Sequence, residues 1–129
     1  MRKFLFGGIL AVMFVACGGE KKPDFAAAHA ACNYYNMLVE GKAAEFVDGM
    51  DTPDTIPVGY REQLIANAKM FMAQQQDEHQ GLRKVDVLNC VNDSLSQTAN
   101  AFLMFCYGDS TVEEIVVPMV KRDGKWLMK

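Results

Sequence analysis

The chain has 129 residues, half of them hydrophobic, with 13 basic and 16 acidic side chains and a formal net charge of −3. That length supports one domain and not two comfortable ones. The acidic balance argues against nucleic acid as a partner and against electrostatic docking on anionic lipid.

Arg2 and Lys3 make a short basic start, and FLFGGILAVMFV from Phe4 to Val15 follows without a charged side chain. A helix needs about 20 apolar residues to span a bilayer, whereas a secretory signal uses roughly 7–15 behind a positive start. Small Ala16 precedes Cys17, and Gly18–Gly19 come next. Phe14-Val15-Ala16-Cys17 resembles the lipobox of bacterial lipoproteins, with Phe14 where that family prefers Leu. The resemblance implies cleavage after Ala16, a diacylglycerol thioether on Cys17 and usually a third chain on the new amine. Two or three acyl chains hold a protein at a membrane where one does not, since each buried methylene adds about 0.8 kcal/mol. An ordinary secretory signal with an incidental Cys17 is the alternative.

Residues 1–16 are therefore expected to be a signal peptide, residues 17–23 the lipidated cysteine and a short tether, and residues 24–129 the folded domain. Cleavage removes Arg2 and Lys3, leaving 11 basic against 16 acidic residues. The expected location is the cell envelope, lipid-anchored on the outer membrane and facing the periplasm. Lys21 and Lys22 directly after Glu20 motivate that side, with surface exposure as the alternative. Three cysteines remain after acylation: Cys32, Cys90 and Cys106. A turn near Ser94–Ser96 places Cys90 opposite Ala101 or Phe102, about 13 Å along the strand from Cys106 and beyond disulfide reach. Buried free thiols are the expectation, with a Cys32 bridge to one strand as the alternative.

In the mature part, Asp24 is positioned to cap a helix through FAAAHAACNYYNMLVE. Phe25, Ala28, Cys32, Tyr35 and Val39 recur at three- and four-residue steps, which marks a buried face. Gly41 ends it. A second helix runs from Lys42 to about Met50, with Ala43, Phe46, Val47 and Met50 on one side. DTPDTIPVG is a loop. A third helix spans about Tyr60 to Glu78, with Tyr60, Leu64, Ala68, Phe71 and Met72 inward. After Gly81 the period becomes alternating: Val85, Val87 and Val91 share one face, Leu88 and Cys90 the other. Ala99–Tyr107 is apolar on both faces, as for a central strand covered on both sides. Pro118 interrupts VEEIVVPMVKR and predicts an edge position or a bulge. Asp123–Gly124 predicts a hairpin into Lys125–Lys129.

Helices first and a meander after predict an α+β fold, three helices packed on one face of a curved antiparallel sheet of about four strands. The helices around VEGKAAEFV, the third helix and the closing KRDGKWLMK resemble the nuclear-transport-factor-2-like (cystatin-like) superfamily, and more narrowly its small lipoproteins of unknown function. The resemblance covers nearly all of Asp24–Lys129. It implies a cone in which a bent sheet wraps a long helix, often around a pocket.

Enzymes of that superfamily place an Asp or His inside the cone as a general base, which needs an apolar cavity and a donor for the oxyanion. His29 lies near the inner face of the first helix. His79, at the polar end of the third, reads as solvated. The candidate pocket residues are His29, Tyr35, Asn89 and Asn100, with Asp86 beside them. A boundary imidazole and wet-face strand amides are the commoner roles for such residues. The sequence has no HExxH, CxxC, phosphate loop or Ser/His/Asp spacing, so neither a metal nor an organic cofactor is expected. Met70, Met72, Met104, Met119 and Met128 are expected inside as adaptable filling. Two readings result. The first is a noncatalytic domain that binds an apolar small ligand or a protein, including a homodimer through its sheet face. The second is a small isomerase- or dehydratase-like cavity enzyme using His29 or an inward Asp.

Overall fold

A computed structural model describes residues 24–129. The expected signal peptide, Cys17 and the tether lie outside the described residues. The elements follow the predicted order: α1 (Ala26–Val39), α2 (Ala43–Asp48), α3 (Tyr60–His79), β1 (Leu82–Asp93), β2 (Thr98–Tyr107), β3 (Val112–Arg122) and β4 (Lys125–Met128). The strands form one antiparallel sheet of order β1-β2-β3-β4. The α+β class and helices-on-one-face architecture read from the sequence are what the chain adopts.

α1 crosses the inner face of the sheet because its alanines let it approach closely. Ala27, Ala28 and Ala31 are fully buried, and Leu38 nearly so. Asp24 supports the start from one residue before the cap position, its carboxylate accepting from the Ala26 amide at 3.0 Å. Ala43, Phe46 and Val47 of α2 complete the layer. The sheet contributes Val85, Ala101, Leu103, Phe105, Tyr107, Val117, Met119 and Met128. These core residues run from Ala27 to Met128, so residues 24–129 carry a hydrophobic core of their own.

α3 departs from the expected stripe. Tyr60 and Met70 are exposed, while Gln75 is buried together with Ala68. Positions 64, 68, 71, 72 and 75 follow the helical period, so geometry placed a glutamine where polarity alone put it in water.

β1 holds the larger correction. The register shifts between Val87 and Asn89, with Val87 opposite Leu103 and Asn89 opposite Phe102. Leu88 is the extra residue of a bulge, and each bulge reverses the alternation beyond it. Cys90 therefore faces the core with Val85 and Val87, while Val91 is turned out. The pairing of Cys90 with Ala101 is as expected from the hairpin. Cys32, Cys90 and Cys106 are free thiols.

Pro118 sits without a bulge one residue beyond Met119–Met128, the last pair of the β3–β4 ladder, its carbonyl accepting from the Lys129 amide at 3.0 Å. Its missing N–H faces the end of β4, where one ladder bond is lost. Asp123 and Gly124 both have positive φ, 51° and 78°, the two-residue turn that matches strand twist.

Candidate functional site

β2 was expected to be covered on both faces, but only its inner face is. Ala99, Ala101, Leu103, Phe105 and Tyr107 point inward and are buried. Phe102, Met104 and Cys106 alternate onto the outer face and stay partly exposed. The register places Val116 beside Phe102 and Val112 beside Cys106 on β3, and Val91 beside Asn100 on β1. Val91, Val112 and Val116 are 54%, 60% and 49% exposed. Among the described residues nothing packs over this row. A two-layer sheet ordinarily alternates hydrophobic-in with polar-out. Here the β2 and β3 positions of two outer rows are apolar, Phe102 beside Val116 and Cys106 beside Val112. β1 adds Asn89 and Lys84 to those rows, and the acids Asp86 and Glu114 flank Met104 between them.

The four predicted pocket residues do not converge. Tyr35 is in the core, its ring 4.9 Å from that of Phe46 and 5.1 Å from Phe105. Burial pushes its phenol above the ordinary value. His29 is exposed on α1, its ring tilted against Phe25 at 6.5 Å, so it does not enter the interior. The reason is periodicity: Ala28 and Ala31 take the inward positions, and His29 falls about 100° from the first and about 160° from the second. Asn89 and Asn100 are exposed on the outer sheet face in adjacent rows. Asp86 is partly exposed there and pairs with Lys84 at 3.4 Å. Met104 is likewise on the outer face and not inside.

A cluster that sequence reasoning passed over lies where α3 meets the β2–β3 turn. The His79 imidazole stacks on Tyr107 with centroids 4.4 Å apart, and its Nδ1 is 3.1 Å from Asp109 Oδ2. Tyr107 is buried, and its hydroxyl donates to Glu113 Oε1 at 2.7 Å. Burial first, then the Glu113 carboxylate, pushes this phenol far above its ordinary value. The Thr111 hydroxyl and amide, and then the His79 ring, hold the Asp109 carboxyl below its ordinary value. A readable signal existed: His79 lies four residues after Gln75 and eleven after Ala68, on the buried side of α3. The cluster ties a helix end to a turn.

Gln75 is the only buried polar or charged residue among those described. No group of three His, Cys, Asp or Glu side chains converges on a point that would hold a metal ion, among the described residues. No described helix is long and apolar enough to cross a membrane.

Three helices laid on one side of a four-stranded meander, with α1 under the curve, define a nuclear-transport-factor-2-like (NTF2-like) α+β fold. A solved structure with this fold is a proposed NTF2-like transpeptidase from Campylobacter jejuni, superposing with a TM-score of 0.61 at 14% identity over 76% of this chain and 92% of that one. No protein-family model matches the chain, and no curated protein matches it. At that identity the likeness speaks for the fold alone.

Proposed function

We propose that this protein is a lipid-anchored envelope protein whose domain is a noncatalytic interaction module that pairs with a second copy of itself through the outer sheet face. The observation that carries the pairing is the set of apolar side chains that β2 and β3 leave exposed on the outer face: Phe102 beside Val116 and, past the Met104–Glu114 pair, Cys106 beside Val112. A two-fold axis lays such a face on itself, so one patch serves as both halves of the interface. Anchoring rests on Phe14-Val15-Ala16-Cys17 behind the apolar run. Confinement to a membrane raises the effective concentration, so a modest interface suffices there.

The noncatalytic reading is supported by what lines the interior. A cone enzyme needs an acid or imidazole held in an apolar cavity, and the described core is alanine, leucine, phenylalanine, valine and methionine together with the Tyr107 phenol, which is bound to Glu113.

Sedimentation velocity of residues 24–129 tests the pairing. A concentration-dependent dimer is expected, weakened about a hundredfold by Val116→Lys, which buries an unpaired charge in the interface. Circular dichroism should be unchanged, since Val116 points away from the core. A wild-type domain that stays monomeric at about 1 mM, the weak end of specific association, would remove the reading. Anchoring is tested separately: a clickable fatty acid fed to the expressing bacterium should label the full chain and not the Cys17→Ser variant.

A further inference from the structure

The helical layer holds a slot that the sheet does not reach. Leu38 and Val39 at the end of α1, Gly41, Ala43 at the start of α2, and Lys69 and Met72 of α3 line a cleft of about 220 Å³. Leu38 and Ala43 are buried, and Val39 and Met72 are partly so, which makes the floor aliphatic. Drug-sized ligands occupy roughly 300–1,000 Å³. This slot therefore suits a tail of a few carbons.

Lys69 gives the slot a polarity. The side chains three and four residues away on its helix are Ile65, Ala66, Met72 and Ala73, so no carboxylate is placed to pair with it along α3. Among the described residues Lys69 takes part in no ion pair. The nearest acid in sequence to the slot, Glu40, is paired with Lys42 at 3.4 Å. A lysine lays its methylenes along apolar surface and keeps its ammonium at the rim. One cation above an aliphatic floor complements one anion joined to an aliphatic tail.

We propose that this slot binds a short straight-chain monocarboxylate, its tail between Leu38, Ala43 and Met72 and its carboxylate paired with Lys69. The site is independent of the sheet-face pairing, because it lies in the helical layer on the far side of the core.

The test is a titration of sodium hexanoate into residues 24–129 carrying isotope-labelled leucine and methionine methyls. Saturable shifts of Leu38 and Met72 are expected. Hexan-1-ol should bind about tenfold more weakly, the value of a hydrogen bond to a charged group. Lys69→Met should cost hexanoate about the same factor and leave hexan-1-ol unchanged; Lys69 is exposed, so this variant keeps the fold. Equal affinity for acid and alcohol, an unaltered hexanoate affinity in Lys69→Met, or no saturable shift at Leu38 and Met72 would each overturn the proposal.

Discussion

The imidazole of His79 lies on the phenol ring of Tyr107, centroids 4.4 Å apart and planes 26° from parallel. One ring closes the last turn of α3, and the other ends β2, so the stack fastens the longest helix to the centre of the sheet. Elsewhere α3 is held by Ala68 and Gln75, which are buried, by Leu64, Ile65, Phe71 and Met72, which are partly so, and by the Arg61–Asp48 pair at its start, so the stack is the fastening at its far end. His79→Ala should therefore cost about 1–2 kcal/mol in urea unfolding, combining the ring contact with the lost Asp109 bond. Tyr107→Phe keeps the stack, removes the Glu113 bond and should cost about 1 kcal/mol. A loss below about 0.5 kcal/mol for His79→Ala, the level of an ordinary surface change, would mean the stack contributes no fastening.

Acid should weaken the fold through two carboxylates. Asp109 is held down by Thr111 and His79, and Asp51 by Arg122, which grips both its oxygens at 3.2 and 3.1 Å. Each has a lower pKa folded than unfolded. Its contribution is thus complete above the unfolded value near ~3.9 and is lost as pH falls through the folded value. Both groups are solvent-accessible, so the effect is modest. Urea midpoints measured downward from pH ~5 should fall less in the Asp51→Asn, Asp109→Asn double variant than in the wild type. Parallel acid limbs would assign the loss to other groups.

Gly49 is required by packing and not by backbone angle. Its φ of −86° is open to any residue, but a Cβ there would overlap the Tyr34 ring. Tyr34 cannot easily yield, because its hydroxyl donates to the Trp126 carbonyl at 2.7 Å. Gly49→Ala is expected to destabilise by about 1–3 kcal/mol, as overpacking does. In Gly49→Ala, Tyr34→Ala the space reopens, and the double variant should be more stable than the sum of the two single losses predicts. Thermal unfolding of the four proteins measures that coupling.

Burial pushes the thiols of Cys32 and Cys90 up, Cys32 further by the nearby Asp86 carboxylate. Since the thiolate is the reactive form, both should alkylate more slowly than a free cysteine at pH ~8 and at the free rate once urea unfolds the domain. Mass spectrometry of maleimide-treated protein over time distinguishes the sites. Fast labelling of either before unfolding would show that its stretch of α1 or β1 opens locally.

Much of the fold was legible because period and punctuation agreed. The alternation after Gly81, the turn before Thr98 and the Asp123–Gly124 hairpin each have a local cause, and the elements fell within a few residues of expectation. The candidate pocket was not legible. His29, Tyr35, Asn89 and Asn100 were chosen for chemistry and approximate face, and one of them went into the core while three went to solvent. Cys90 and Val91 exchanged faces because a single inserted residue, Leu88, reversed their parity.

By itself the sequence determined the class, the element order and the hairpin connections, since these follow from hydrophobic period and turn residues within a few positions of one another. Tertiary structure alone decided which face of β2 would be left bare, where Gln75 and His79 would point, and that Lys69 would stand over an aliphatic slot. Those outcomes depend on contacts between residues tens of positions apart, and a local pattern carries no information about which surface another element will cover.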